Sequence, residues 1–207
     1  MIDKKQGVRS GGRPASFERS AAVRTALGMF RERGYEGVSI ADLTAAIGVA
    51  PPSLYHAFGS KAGLMEEAIA FYEDSEAGLD LTKLSTSKTP RDWARGLLEA
   101  GAESVTKSGK ACLISNGMIM CHPDNQAVAG TLAKRRTAFR QAISEQLLRW
   151  MPEPDAHRLA RYLVTVLQGL SVQARDGATM DDLRPVIELT LSAAGLCGTQ
   201  DGSAIGR

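Results

Sequence analysis

Gly48 and the Pro51–Pro52 pair oblige the chain to end one helix and begin another within a few residues. Glycine accepts the positive φ at which a helix stops. Proline lacks an N–H and is tolerated only in a helix's first turn. The segment SIADLTAAIGVAPPSLYHAF, residues 39–58, therefore divides into two short helices joined by a tight turn. Ser39 opens the first, and Asp42 stands where a capping box would place its acceptor. Ile40, Leu43 and Ile47 form that helix's apolar stripe, and Leu54 and Phe58 answer from the second. Buried together with Val49, they hold the two helices at a fixed angle, the helix-turn-helix pattern. The front of the second helix is left outside, offering Pro51, Pro52, Ser53, Tyr55 and His56. A helix fits the DNA major groove, and its N-terminal residues reach the base edges.

The remaining pattern is helical throughout. Ser16 is placed to cap a helix running to about Arg33, with Val23, Ala26, Leu27 and Phe30 on one face. Ser60 caps a fourth helix with Leu64, Ala68, Ile69 and Phe71. The stretch from Asp80 to Thr89 reads as a loop. Helices are expected over Pro90 to Lys107, Gln126 to Met151, Asp155 to Arg175 and Met180 to Leu196. An apolar segment, Cys112 to Met120, lies between the first two of these. Pro152 and Pro154 are expected to end the Gln126 helix. No alternating strand pattern or internal repeat is visible, so the fold is expected to be all-α.

Charge is uneven along the chain. Residues 1–61 carry nine basic and five acidic side chains, a net +4, while the remainder carries sixteen basic and eighteen acidic, a net −2. A positive front on a mildly acidic body suits a polyanion such as DNA. A solvated basic tail gives the same pattern. No apolar run approaches the roughly 20 residues that span a bilayer. The polar start lacks a signal-peptide core, so no membrane association and a cytoplasmic location are expected. Three cysteines, Cys112, Cys121 and Cys197, are too few and odd in number for a disulfide framework. Cys121 and His122 are adjacent and could contribute to a metal site, but two such ligands make a weak signal, so no metal and no cofactor are expected. Gly-rich phosphate loops, His-Glu-x-x-His and G-x-S-x-G are all absent, which argues against an enzyme.

FRERGYEGVSIADLTAAIGVAPPSLYHAFGSKAGL, residues 30–64, resembles the N-terminal DNA-binding module of the TetR/AcrR family. Phe30, Gly34–Tyr35, Ser39, Gly48–Val49, Ser53-Leu54-Tyr55, His56, Phe58 and Ser60-Lys61 carry the resemblance, which covers roughly residues 17–70. It implies backbone contacts from Ser39, Tyr55, His56 and Lys61. It also implies an arm whose Arg13 enters the minor groove. Thr44 is counted with this DNA-facing set. Pro51–Pro52 departs from the Lys-Gly or similar pair of many members. Without N–H donors, contacts there must be apolar, such as to a thymine methyl. Tyr55 packing on the first helix, Ser39 acting as a cap alone, and His56 and Lys61 as plain surface residues remain alternative readings.

The resemblance further implies a ligand-responsive regulator, usually a repressor. It would bind palindromic operator DNA as a homodimer and be released by a small-molecule effector. The expected division is a flexible basic arm at 1–15, a helix-turn-helix domain at 16–62, a helical effector-binding and dimerisation domain at 63–197, and a disordered tail at 198–207. Trp93, Leu97, Cys112, Met118, Phe139 and Trp150 are candidates for the effector pocket, and ordinary core is the alternative for each. Leu163, Leu167, Leu170, Val186 and Leu189 are candidates for the dimer interface, with an intrachain core as the alternative. Cys112, near Lys110, opens a second possibility: a thiol sensor of oxidants or electrophiles on the same scaffold. Inert burial is the competing reading. A helical enzyme or interaction protein without DNA binding is the reading from a different class.

Overall fold

In a computed structural model, residues 18–75, 79–109, 112–117 and 120–196 are described. The expected arm with Arg13, the Ser16 cap, Met118 and the expected tail lie outside them. Among the described residues there are nine α-helices and no strand: α1 (Arg19–Arg33), α2 (Ile40–Ile47), α3 (Pro51–Phe58), α4 (Lys61–Glu73), α5 (Pro90–Ser108), α6 (Leu113–Asn116), α7 (Gln126–Leu147), α8 (Glu153–Arg175) and α9 (Met180–Ala193).

The helix boundaries have local causes. Glu18, rather than Ser16, caps α1, its carboxylate accepting the Ala21 N–H at 3.0 Å. Ser39 and Asp42 form a full capping box at the start of α2, and Thr179 and Asp182 repeat it at α9. Gly48 ends α2 at φ +78°, a left-handed conformation that costs an L side chain roughly 1–2 kcal/mol. Pro51 and Pro52 occupy the first turn of α3. Two expectations are corrected by proline and leucine placement. Pro152 and Pro154 do not stop α7, which already ends at Leu147; Pro152 caps α8 and Pro154 sits in its first turn. The stretch after Asp80 contains a 3-10 turn, Leu81–Leu84, because both leucines pack onto the nearby core.

Two apolar cores organise the helices. The first gathers Phe30 of α1, Leu43 of α2, Leu54 and Phe58 of α3, and Leu64, Met65, Ile69 and Tyr72 of α4. Leu113, Val128 and Leu132 close it from the side of α6 and α7. The second joins Trp93, Leu97 and Leu98 of α5, Ile143 and Leu147 of α7, Leu163, Leu167 and Leu170 of α8, and Leu183, Ile187 and Leu191 of α9. The expected border at residues 62 and 63 thus falls at the head of α4. That helix completes the N-terminal core and also meets the body.

The capping boxes give the fold an acid signature. The Ser39 and Thr179 side chains, and then their backbone N–H groups, hold the Asp42 and Asp182 carboxyls below the usual carboxylate range. A depressed folded pKa contributes stability above the unfolded value, about 3.9. That contribution is lost as pH falls from there through the lower folded value. Thermal melts should therefore weaken below about pH 4, with a smaller drop over that window in the double variant Asp42→Asn, Asp182→Asn. An equally steep drop in the variant would rule out the boxes as the source. At neutral pH, Ser39→Ala should cost about 1 kcal/mol.

Candidate nucleic-acid interface

Two buried anchors, Leu54 and Phe58, seat α3 on the first core. Their spacing turns Pro51, Pro52, Ser53, Tyr55 and His56 away from the protein, and all five are exposed, Tyr55 by 46%. Arg19 braces this arrangement from α1. Its Nε donates to Glu67 of α4 at 2.9 Å, another nitrogen donates to the Ala57 carbonyl of α3 at 2.7 Å, and its guanidinium lies over the Phe58 ring. No sequence pattern marks Arg19 for this role.

The flanks of α3 are the starts of α2 and α4. Ser39 is exposed, and its Oγ accepts the Asp42 N–H at 3.0 Å and donates to the Asp42 carboxylate at 2.6 Å. Its capping role is therefore filled, with the hydroxyl still at the surface. Ser60 caps α4 by accepting the Gly63 N–H at 3.0 Å. Lys61 follows, its ammonium 4.1 Å from the Tyr35 ring centroid. Partial burial lowers its pKa, and the carboxylates of Glu36 and Asp42 oppose that shift. An anion placed here would gain a cation that is partly stripped of water.

Thr44 does not belong to this face. It is only 7% exposed, and its hydroxyl donates back to the carbonyls of Ile40 at 2.9 Å and Ala41 at 3.1 Å. A threonine inside a helix commonly satisfies its hydroxyl on the preceding turn, and burial against the first core removes it from any DNA-facing surface.

Polar contacts tie this module to the body. Glu36, in the turn after α1, accepts the His122 N–H at 2.6 Å and the Asn125 side-chain amide at 2.7 Å. These bonds hold its carboxyl below the usual range, the Asn125 contact most strongly. Arg31 donates to Ser108 at the end of α5. Arg135 of α7 pairs with Glu73, the last residue of α4, at 3.1 Å.

Beside α4 lies a cavity of about 340 Å³, within the range of small-ligand sites. Tyr72, Glu73, Cys112, Arg135, Phe139 and Leu167 are among its walls. Two expected residues, Cys112 and Phe139, do line it. Three others are corrected. Trp93 and Leu97 are fully buried in the second core and are not among the cavity's walls. Trp150 packs at that core's edge, where its indole N–H donates to the Lys88 carbonyl at 3.2 Å. Apolar periodicity marked all of these alike, since it reports burial and not the presence of empty space. Tyr72 and Glu73 at the end of α4, and Arg135 in the basic middle of α7, resemble a solvated surface in the sequence.

The Cys112 sulfur accepts the Ser115 N–H at 3.5 Å, and its backbone N–H donates to the Ser171 hydroxyl at 3.2 Å. Burial, followed by the neighbouring Cys112, pushes the Tyr72 hydroxyl's pKa up. Of the expected interface leucines, Leu163, Leu167 and Leu170 are corrected to intrachain core, because they are buried within the second cluster, where α8 packs on α5 and α7. Val186 and Leu189 stand exposed on α9, Leu189 by 70%.

Residues 22–68, which hold this whole arrangement from α1 to α4, match the family model for bacterial regulatory proteins of the tetR family. Across 201 residues the chain is 31% identical to the HTH-type transcriptional repressor ComR of Escherichia coli K12, spanning 91% of this chain and 95% of that protein. It is 30% identical over 185 residues to the repressor BdcR of the same organism, spanning 88% and 91%. The chain belongs to the TetR family. A solved structure of a cysteine mutant of the TetR family regulator CifR with 26-base-pair double-strand operator DNA superposes with a TM-score of 0.80, at 34% identity, over 87% of this chain and 99% of that one. As a TetR-family protein, this is a DNA-binding transcriptional regulator with an N-terminal helix-turn-helix and a helical C-terminal domain. Among its described residues no helix is long and apolar enough to cross a membrane.

Substitutions on this TetR-family face should separate its parts. Lys61→Ala is expected to weaken binding evenly across DNA sequences and to reduce the slope of log affinity against log salt by about one. Tyr55→Ala should also weaken binding, whereas Thr44→Val should leave it unchanged. Fluorescence anisotropy over a salt series makes the comparison. Full affinity in both Lys61→Ala and Tyr55→Ala would show that DNA lies elsewhere.

Proposed function

We propose that this regulator is a homodimeric repressor. It holds palindromic operator DNA through Arg13, Ser39, Pro51, Pro52, Ser53, Tyr55, His56 and Lys61, and it lets go when a small effector enters the cavity beside α4. One observation carries the reading: the exposed row on α3 is fixed to a core that α4 shares with the cavity wall. A ligand that alters the seating of α4 alters where α3 points. The effector's influence is limited to its differential affinity for the two states. In this reading residues 16–62 form the DNA-binding domain, residues 63–197 sense and pair, and the protein works in the cytoplasm, where its DNA is.

Pairing needs a surface, and α8 and α9 supply one. Tyr162 and Val172 on α8 and Val186 and Leu189 on α9 are exposed large apolar side chains on consecutive helices. Gly169 lies between the first two, with open space above it. Two copies joined here would set their α3 helices for successive major grooves, about one helical turn apart.

Thiol sensing at Cys112 is the less favoured alternative. The side chain is half-buried, and its sulfur and backbone are engaged with Ser115, Tyr72 and Ser171.

The test is selection of binding sites from a random duplex pool, followed by affinity measurements at two salt concentrations. A palindromic consensus, bound by two protomers and weakening steeply with salt, is expected. Failure to enrich any sequence would overturn the regulator reading for this surface. Leu189→Asp should sediment as a monomer with unchanged helicity and lose most operator affinity. A fully dimeric Leu189→Asp would remove α9 from the interface.

A further inference from the structure

The cavity beside α4 is lined mainly by apolar groups, with a few neutral polar ones and one charged pair. Leu79, Val105, Ile114, Phe139 and Leu167 supply much of its lining, while among the described residues Glu73 and Arg135 are its only charged walls. Of the other polar walls, Tyr72 bonds Cys112 and Ser104, Ser171 accepts the Cys112 N–H, and Ser115 offers a neutral hydroxyl. A polar group entering the cavity therefore finds its strongest available partner at the Glu73–Arg135 pair.

The two members of that pair are not equivalent. Arg135 sits on a cationic helix: α7 carries Lys134, Arg135, Arg136 and Arg140 against a single acid, Glu145. The field there favours a negative head over a positive one. Arg135 meets Glu73 with a shortest nitrogen–oxygen distance of 3.1 Å, and the pair is partly exposed to water. A guanidinium presents a planar fork that matches a carboxylate through two parallel bonds, so a carboxylate delivered from within the cavity can offer a better match than Glu73 does. Arg136 next to it is turned elsewhere, donating to the Ile114 and Gly117 carbonyls at 2.9 and 3.2 Å, which steadies α6 as a wall.

Building on the proposed effector role of this cavity, we infer that its ligand is a small amphiphile with an apolar body and an anionic head, and that the head takes Arg135 away from Glu73. The volume of about 340 Å³ sets the size. It lies at the lower end of small-ligand sites, which run from about 300 to 1,000 Å³. The exchange has a mechanical result. Glu73 is the last residue of α4 and Lys61 is the first. Loss of the ion pair removes a polar tie between α4 and α7 at the end opposite the DNA-facing one.

The probes are octanoate, octanol and octylamine, which share a flexible eight-carbon body and differ in the head. Titration calorimetry with the full chain is expected to show octanoate binding about tenfold more tightly than octanol, with octylamine weakest. Arg135→Gln should erase octanoate's margin while leaving octanol binding unchanged. Arg135→Lys, which keeps the charge and loses the fork, should fall between, and Glu73→Gln should tighten octanoate by freeing its partner. Equal binding of the three probes, no binding by any of them, a preference for octylamine, or an undiminished margin in Arg135→Gln would each overturn the inference. DNA binding by the same preparation reports separately: a protein that binds its selected DNA but ignores the anion keeps the regulator reading and loses this one.

Discussion

Helix α4 buries one stripe in company drawn from both parts of the molecule. Leu64, Met65, Ala68, Ile69 and Tyr72 are almost wholly removed from water, facing α1, α2 and α3 on one side and Leu113, Val128 and Leu132 on the other. Close-packed interiors resist continuous deformation, so a helix shared this way transmits displacement instead of absorbing it. Truncating such a side chain to alanine typically costs 2–5 kcal/mol, more than any surface ion pair here supplies. The exposed face of α3 and the cavity are therefore linked through packing first, and through polar contacts second.

The polar contacts have a different part. Exposed ion pairs are individually worth about 0–1 kcal/mol, so Glu73–Arg135 and the bonds from Glu36 to His122 and Asn125 add little to stability. They are directional, however, and they sit where the N-terminal helices meet the body. Small tilts of α1–α4 against α5–α9 change their geometry before they disturb the buried stripe. Weak, specific ties of this kind are where a ligand of ordinary affinity can shift a balance between two orientations.

The helices of the helix-turn-helix module were legible nearly residue by residue, and the body much less so. Gly48, Pro51 and Pro52 restrict backbone conformation directly, so the ends of α2 and α3 followed from local chemistry alone. Ser39 with Asp42 was legible for the same reason. Thr44 was misplaced because its hydroxyl turns back onto its own helix, a choice fixed by packing behind it. Leu163, Leu167 and Leu170 show the limit of periodicity: a leucine stripe states that something covers it, not whether that partner belongs to the same chain. The cavity walls were the hardest to foresee, since Tyr72, Glu73 and Arg135 meet only after α4 and α7 are brought side by side. Arg19 and Glu36 had no signal at all, being single charges whose partners lie far along the chain.

The prolines of α3 also decide how the proposed complex must divide its labour. Pro51 and Pro52 have no N–H, and the N–H groups of Ser53 and Leu54 both donate to the Ala50 carbonyl. The front of α3 therefore offers DNA side chains alone: two apolar rings, the Ser53 hydroxyl and, further along, Tyr55 and His56. Starts of helices normally hold phosphate through unpaired backbone N–H groups, and that task passes to α2 and α4. Ser39 and Ser60 each satisfy one N–H of their own helix while leaving the first turn at the surface, and Lys61 adds a cation beside the second. Anchoring on two flanking helices while the middle one reads through apolar rings separates affinity from specificity. Such an arrangement favours a thymine methyl against Pro51 or Pro52, since a base edge that needs a donor would find none there.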